Sequence, residues 1–279
     1  MVNRSTRIAW WWRLIRVGAS LGLCYAGVTI LMLFFETSML YHPDSAGDDW
    51  VRGPDARVQD IELKSADGTR IHAWWCPRPG AEGAVLYCHG NAGNLSHRSG
   101  AVAEWQEGLN QSVLIFDYPG YGKSTGSPSE AGCCAAATAS YEWLSNEARV
   151  PAERILIFGT SLGGGVAVDL AARVPSRALV LLATFTSVPD RAQELFPLLP
   201  ARWLVRNRFS NLAKIGNCRQ PVFIAHGDRD DVVPISHGRN LFAAANEPKC
   251  FLELTNFGHW ENPGNEFFAR LKQFLSKKE

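Results

Sequence analysis

The chain has 279 residues, enough for one domain with a full hydrophobic core and a short appendage. Its net charge of +1 provides no basic field to hold a nucleic acid, so we expect no nucleic-acid partner. The 46% of hydrophobic and 20% of charged residues are ordinary for a globular enzyme.

The first predicted element is an uncharged apolar stretch over residues 17–35, VGASLGLCYAGVTILMLFF. About 20 residues of this kind cross the hydrocarbon of a bilayer, because a helix rises 1.5 Å per residue. Residues 1–16 carry four arginines and three consecutive tryptophans. Basic residues outside a span and aromatic residues at its edge are typical of a membrane interface. We therefore predict a basic tail over 1–16 and a transmembrane helix over 17–35.

Two alternatives to a membrane anchor stay open, a cleaved signal peptide and a buried helix. A signal peptide has a shorter apolar core and small residues at its cleavage site, whereas ETSMLYHP follows this stretch. A core helix carries polar residues on one face, which this stretch lacks. Because basic residues favour the cytoplasmic side, we expect a single-pass protein with a cytoplasmic N-terminus. The rest of the chain would lie on the non-cytoplasmic side, in the periplasm of a bacterium.

Residues 41–55 are polar and rich in turn formers, and we expect a connector over 36–55 before a domain over 56–279. In this domain, short apolar runs alternate with helix-like stretches. Strands are predicted at 58–63, 69–75, 84–88, 112–118, 154–158, 177–183, 221–226 and 250–254, the first two as a hairpin. Helices are predicted at 97–108, 129–147, 162–173, 235–245 and 264–276. Wholly apolar strands are buried on both faces, so we predict an α/β fold with a mostly parallel central sheet and helices on both faces.

A serine in a glycine-rich turn follows the predicted strand 154–158. The sequence Gly-Thr-Ser-Leu-Gly at 159–163 matches GxSxG, and a predicted helix comes directly after it. This strand–turn–helix context is what a nucleophile elbow requires. Ser161 is therefore the candidate nucleophile, with the helix N-terminus facing any negative charge that develops there.

A nucleophilic serine needs a base, and the base needs an acid that orients it. In the hydrolases that use this elbow, the chain order is serine, acid, histidine. We choose His259 as the base, because it follows the strand 250–254 and a short loop. His226 precedes any acid in its loop, and His237 at a helix start is expected to be solvated.

The acid is expected in the loop after the strand 221–226. This loop holds Asp228, Asp230 and Asp231. Only one of them can sit against the Nδ1 atom of His259, and sequence spacing alone does not separate the three.

An oxyanion site needs two backbone N–H groups, and we expect one from Leu162 and one from the glycine-bearing loop at 90–92. His89, which precedes the nucleophile in the chain, is interpreted as a structural residue of this loop. The Gly-Lys-Ser at 122–124 is not a phosphate loop, because Asp117 stands where the first glycine is required. The seven cysteines form no CxxC pair and no metal-ligand spacing, so we expect no metal, no cofactor and no disulfide framework.

Together these residues resemble the α/β-hydrolase superfamily, and more narrowly its membrane-anchored, serine aminopeptidase/lipase-like "alpha/beta hydrolase domain-containing" branch. The matching motifs are HGNAGNLSHR (89–98), DYPGYGKSTGSPSE (117–130), GTSLGGGVA (159–167), HGDRDDVVP (226–234) and FGHW (257–260). The resemblance implies that Asp230, the fifth residue of HGxxDxxVP, is the acid, and it supports His259. It also implies an oxyanion amide at Asn91. Thr160 departs from the family, in which many members carry His.

The residues and the resemblance predict a serine hydrolase of esters or thioesters, with a small-molecule or lipid acyl ester as substrate. The alternatives are a serine peptidase or aminopeptidase-like amide hydrolase and a non-catalytic binding protein on this fold. Residues 185–214 hold several apolar side chains and are too long for a simple crossover. They are expected to form either a small lid over an acyl pocket or two ordinary surface helices.

Overall fold

The computed structural model describes residues 4–47, 49–259 and 262–276. Its first element is the helix α1, Arg4–Leu40. The part Trp10–Leu40 is long and apolar enough to cross a membrane, and none of its most apolar window is buried in the protein. A long N-terminal helix that could span or anchor in a membrane is therefore present.

The helix α1 extends beyond the predicted span 17–35 in both directions. It starts within the predicted tail and runs five residues into the predicted connector. It ends where the chain turns to pair with the domain, as the N–H of His42 donates to the carbonyl oxygen of Asn91 at 3.0 Å. Apolar composition predicts the membrane-crossing part of a helix, whereas the ends of the helix depend on backbone partners.

Eight strands of the described residues form one twisted sheet, and two further short strands pair with each other. The strands are β1 His42–Pro43, β2 Gln59–Lys64, β3 Arg70–Cys76, β4 Ala84–Cys88, β5 Ala92–Gly93, β6 Ser112–Phe116, β7 Ile155–Thr160, β8 Ala178–Leu182, β9 Val222–Gly227 and β10 Lys249–Leu254. The order in the large sheet is β10-β9-β8-β7-β4-β6-β3-β2, and β1 pairs with β5. Six neighbouring strands from β10 to β6 are parallel, and β2 and β3 form the predicted antiparallel hairpin.

Eight helices follow α1 in the described residues. They are α2 Ser99–Leu109, α3 Glu130–Asn146, α4 Leu162–Ala171, α5 Val188–Leu195, α6 Ala201–Leu204, α7 Asn211–Lys214, α8 Ile235–Ala244 and α9 Gly264–Ser276. Short 3-10 helices lie at Leu95–Arg98, Ala152–Arg154 and Ile215–Asn217. All predicted strands and helices of the domain are present, with ends that differ by a few residues.

The core is divided by the sheet into two layers. Leu86 of β4 packs in the layer with α3, α4 and α8, whereas Val85 and Tyr87 pack in the layer with α2 and α9. Successive strand side chains point to opposite faces, so a strand covered on both faces must be apolar throughout. Each such buried side chain contributes about 1.5–3 kcal/mol to the stability of the fold. The predicted α/β fold with helices on both faces is confirmed.

Candidate active site

Ser161 is the single residue between the end of β7 at Thr160 and the start of α4 at Leu162. Its backbone has φ 51° and ψ −119°, in a region that side-chain-bearing residues rarely adopt. Such a conformation costs about 1–3 kcal/mol and persists only where neighbouring contacts enforce it. Here the N–H of Ser161 donates to the carbonyl oxygen of Leu182 at 3.0 Å, and its own carbonyl accepts from Thr184 Oγ1 at 2.8 Å.

The two glycines of the GxSxG motif are required by close packing around this turn. A Cβ atom at Gly159 would overlap the carbonyl oxygen of Gly163, and one at Gly163 would overlap the carbonyl oxygen of Cys88. Because these obstacles are backbone atoms, they cannot move aside as a flexible side chain could. The glycines thus let β7, α4 and the end of β4 meet below Ser161.

The structure brings the side chains of Ser161, His259 and Asp230 into contact. His259 Nε2 lies 3.0 Å from Ser161 Oγ, and His259 Nδ1 lies 2.8 Å from Asp230 Oδ2. Asp230 and His259 are both buried. The loops after β7, β9 and β10 carry the three side chains, and these parallel strands end at the same edge of the sheet. The arrangement allows the serine proton to pass to an imidazole whose other nitrogen is held by a carboxylate.

The electrostatics of Asp230 suit this position. Burial by itself would raise the pKa of Asp230, but hydrogen bonds from His226 and His259 and from the N–H of Val233 lower it well below its usual range. The carboxyl group is therefore ionised at neutral pH and can stabilise a charged imidazole.

His226 is a site residue that sequence reasoning missed. Its ring is buried, with Nε2 2.7 Å from the carbonyl oxygen of Val233 and 3.3 Å from Asp230 Oδ2. It thus helps to hold the loop that carries Asp230. The available signal was its position four residues before Asp230, at the end of a buried strand.

The predicted oxyanion donors lie beside the serine. Leu162 is the first residue of α4, where a helix leaves its N–H groups without partners inside the helix. A Cβ atom at Gly90 would lie 3.7 Å from Ser161 Cβ, so the 90–92 loop abuts the serine. Asn91 and Ser161 together line two neighbouring cavities, one mainly apolar and one of mixed lining. The donor role of Asn91 and Leu162 stays a prediction.

The loop after β4 is held by residues 117–124, the segment that ends in Gly-Lys-Ser. Tyr118 donates to the carbonyl oxygen of His89, and Tyr121 donates to that of Asn91, both at 2.7 Å. Asp117 Oδ1 accepts from the N–H of Leu95 at 2.7 Å. Burial lowers the pKa of His89 to about 4, so its ring is neutral at pH 7. Its Nδ1 lies 2.7 Å from the carbonyl oxygen of Gly90, in agreement with the predicted structural role.

The expectation of a solvated His237 is wrong. This side chain lies in the first turn of α8 but is buried, with only 3% of its surface exposed. Its Nδ1 accepts from the N–H of Thr186 at 3.1 Å, and its Nε2 lies 3.1 Å from Glu194 Oε2. Residues 185–214, here called the lid segment, cover it. The helix start was predicted correctly, but the segment packed over it was not visible in the local sequence.

An apolar cavity of about 290 Å³ opens on one side of Ser161. The helices α5 and α6 of the lid segment form one wall, with Ala192 and Leu199 among the lining residues. Val232 and Val233 line the side of the domain, and Met32 and Leu33 of α1 also line the cavity. The lid segment therefore forms a wall of a cavity at the candidate nucleophile, and its role as a lid stays a prediction.

A second cavity of about 350 Å³, lined by both polar and apolar side chains, opens on the other side of Ser161. His259 lines this cavity, together with Arg98, Glu104 and Asn262. Glu104 and Asn262 contact each other across it. The two cavities meet at Ser161, so the residue lies between a mainly apolar cavity and a cavity whose lining includes charged and amide side chains.

Cysteines and clusters of metal-ligating side chains are the remaining candidates for reactive or metal-binding sites. All seven cysteines lie in described residues and are free, with Cys76, Cys88, Cys133 and Cys218 buried. Within residues 4–47, 49–259 and 262–276, no group of three or more His, Cys, Asp or Glu side chains could hold a metal ion.

Comparisons with known proteins agree with this fold. Residues 83–209 match the family model described as alpha/beta hydrolase fold. The esterase Pf2001 of Pyrococcus furiosus superposes with a TM-score of 0.68 at 20% identity, over 85% of this chain and 97% of that chain. At that identity, the superposition establishes a shared fold.

Relatives with higher identity match along nearly the whole chain. Protein Rv2307c of Mycobacterium tuberculosis is 37% identical over 270 residues, 95% of this chain and 96% of that protein. The alpha/beta hydrolase domain-containing protein WAV2 of Arabidopsis thaliana is 34% identical over 285 residues, 92% of each chain. With its elbow serine, its strand order and these relatives, the chain belongs to the α/β-hydrolase family.

Proposed function

We propose that this protein is a serine hydrolase that cleaves an ester or thioester of an apolar acyl chain through an acyl-enzyme intermediate. The observation that carries the proposal is the contact sequence Asp230–His259–Ser161, with distances of 2.8 and 3.0 Å. A binding protein has no need for a strained serine, an imidazole and an ionised carboxylate in this order.

In the first half of the reaction, Ser161 Oγ attacks the carbonyl carbon while its proton passes to His259 Nε2. Asp230 keeps the imidazole in the required tautomer and stabilises its charged form. The backbone N–H groups of Leu162 and Asn91 stabilise the negative charge on the carbonyl oxygen. The bond from the carbonyl carbon to the leaving oxygen or sulfur then breaks, and His259 returns the proton to the leaving group.

In the second half, water attacks the acyl-enzyme and gives one proton to His259. The bond to Ser161 Oγ breaks, the carboxylic acid leaves, and the proton returns from His259 to the serine. Atoms and charges balance with water as the sole co-reactant.

The two cavities suggest how the substrate lies. The leaving group must reach His259, which lines the second cavity, because the imidazole protonates it. The acyl chain then extends into the apolar cavity between the lid segment and Val232. The substrate class is an ester or thioester with an apolar acyl part and a polar alcohol or thiol part, such as a lipid ester.

Filling the apolar cavity should shorten the accepted acyl chain. We expect Ala192→Trp, in the lid wall, to lower kcat/KM on p-nitrophenyl dodecanoate about tenfold to a hundredfold relative to p-nitrophenyl acetate. The reason is that the added ring occupies the space of the chain while leaving Ser161 accessible. Hydrolysis rates over a graded series of p-nitrophenyl esters measure this selectivity.

Ala192→Ser is the matched control, because it changes the same position without filling the cavity. Equal loss on all chain lengths in Ala192→Trp would contradict an acyl chain in this cavity. Faster cleavage of aminoacyl amides than of esters by the wild-type protein would contradict the proposed ester specificity.

The location of the protein follows from its N-terminal helix. The helix α1 crosses the membrane once with its N-terminus in the cytoplasm, as the arginines of residues 1–16 predict. We expect a protease added outside the cytoplasmic membrane of cells with a permeabilised outer envelope to digest the domain 56–279. Protection of the domain until the cytoplasmic membrane itself is opened would contradict this orientation.

A further inference from the structure

One face of α1 takes part in the candidate site. Met32, Leu33, Glu36 and Leu40 are only partly exposed, whereas Phe34 on the opposite face is 79% exposed. These four partly exposed residues recur at helical spacing and line the apolar cavity together with Ser161. The end of the helix is therefore a wall of the cavity, which a simple tether would not be.

Glu36 fixes this face of α1 to the lid segment. Its Oε1 accepts from the backbone N–H groups of Arg206 and Asn207, both at 2.8 Å, and from Asn207 Nδ2 at 3.0 Å. Arg206 also donates through Nη2 to the carbonyl oxygen of Leu33 at 2.9 Å. A carboxylate that accepts three hydrogen bonds holds its partners in a defined position.

The end of α1 is also fixed to the loop beside the serine. Asn91 Nδ2 donates to the carbonyl oxygen of Leu40 at 3.0 Å, and the N–H of His42 donates to the carbonyl oxygen of Asn91 at 3.0 Å. The strands β1 and β5 continue this pairing. The helix, the lid segment and the loop at Ser161 thus form one hydrogen-bonded unit.

The lid segment also reaches along α1 toward the apolar stretch. Tyr25 Oη donates to the carbonyl oxygen of Leu198 at 3.0 Å. The 15 residues from Tyr25 to Leu40 span roughly 22 Å of helix, so the tip of the lid segment lies beside residues 17–35. Leu198 at this tip is 86% exposed, and Trp203, in α6 of the same segment, is 87% exposed. Large exposed apolar side chains beside a membrane helix are suited to contact with lipid.

We propose that α1 forms part of the substrate site, and that the acyl chain of a lipid ester enters the apolar cavity directly from the bilayer, between α1 and the lid segment. This inference rests on the proposed ester hydrolysis and names its substrate as a membrane-resident lipid ester. The cavity of about 290 Å³ is at the small end of the roughly 300–1,000 Å³ of ligand pockets, so it takes one acyl chain. Glu36 and Arg206 lie at the membrane surface, with Leu198 below them.

The test is photocrosslinking of full-length protein in phosphatidylcholine vesicles. The probe is a palmitoyl ester that carries a diazirine at the end of its acyl chain. The readout is crosslinking to Val232 and Val233, which line the cavity on the domain side, away from the bulk bilayer. Leu33→Trp fills the cavity from α1, and Phe34→Trp places the same side chain on the opposite face as the matched control.

We expect wild type and Phe34→Trp to be crosslinked at these two positions, and Leu33→Trp to lose about 90% of the crosslinking, equivalent to a tenfold change in occupancy. Equal crosslinking in Leu33→Trp and Phe34→Trp, or crosslinks confined to α1 in the wild type, would overturn the inference. Labelling of Ser161 by a soluble fluorophosphonate is measured in parallel. Absence of labelling in the wild-type protein would refute the proposed hydrolase. Normal labelling without a crosslink in the cavity would refute only the entry of the acyl chain from the bilayer.

Discussion

Ser161→Ala is expected to lower kcat/KM for ester hydrolysis by about 10⁴-fold or more, because single losses within a triad remove nearly all of its contribution. The serine supplies the oxygen that bonds to the acyl group, and this oxygen lies 3.0 Å from His259 Nε2. Initial rates with p-nitrophenyl octanoate measure the loss.

The fold should persist in this variant. Ser161 Oγ contacts His259, whereas the strained backbone is held by Leu182 and Thr184, which the substitution leaves in place. Thermal unfolding should therefore shift by only a few degrees, as for a change of about 1 kcal/mol or less. Ser127→Ala is the control, because Ser127 is exposed in the loop before α3. Full activity of Ser161→Ala would exclude this serine as the nucleophile.

Asp230→Asn is expected to lower kcat by about 10⁴-fold near neutral pH, because an amide no longer holds His259 in the tautomer that can accept the serine proton. The hydrogen bond at 2.8 Å from His259 Nδ1 to Asp230 Oδ2 fixes that tautomer in the wild type. Substrate binding should change little, so the loss should lie in kcat rather than in KM. Steady-state kinetics on one p-nitrophenyl ester separate the two constants.

Asp231→Asn is the matched control, since Asp231 is exposed in the same loop. Greater loss of activity in Asp231→Asn or Asp228→Asn than in Asp230→Asn would overturn the choice of the acid.

The free energy of unfolding should be measured together with activity, because Asp230 also contributes to the stability of the fold. Because the pKa of Asp230 is lowered in the folded state, its ionised form stabilises the fold above the ordinary carboxyl pKa of about 3.9, and this contribution is lost as the pH falls further.

Much of the domain could be predicted from local sequence, because its strands are buried on both faces and its elbow obeys a strict steric pattern. Every residue of β4, β6 and β8 is buried, which explains why uninterrupted apolar runs located them. The glycines at 159 and 163 face backbone atoms, so the motif reports a packing requirement that no other residue type can meet.

The contacts between distant segments could not be predicted. The bond of Glu36 to Asn207 joins residues 171 positions apart, and no periodicity records it. For the same reason, the sequence predicted α1 only as a membrane anchor. The place of α1 in the cavity wall depends on the lid segment, which is distant in the chain. His237 was misjudged because its burial depends on Thr186 and Glu194, which belong to that segment.

The most direct test of the central claim is the mass of the covalent intermediate. The protein is mixed with p-nitrophenyl dodecanoate, quenched in acid during steady-state turnover and digested with trypsin. Cleavage after Arg154 and Arg173 releases residues 155–173, in which Ser161 is the single serine. We predict a dodecanoyl group on Ser161 in this peptide, and ester hydrolysis that proceeds with the acyl group on another residue would contradict the account.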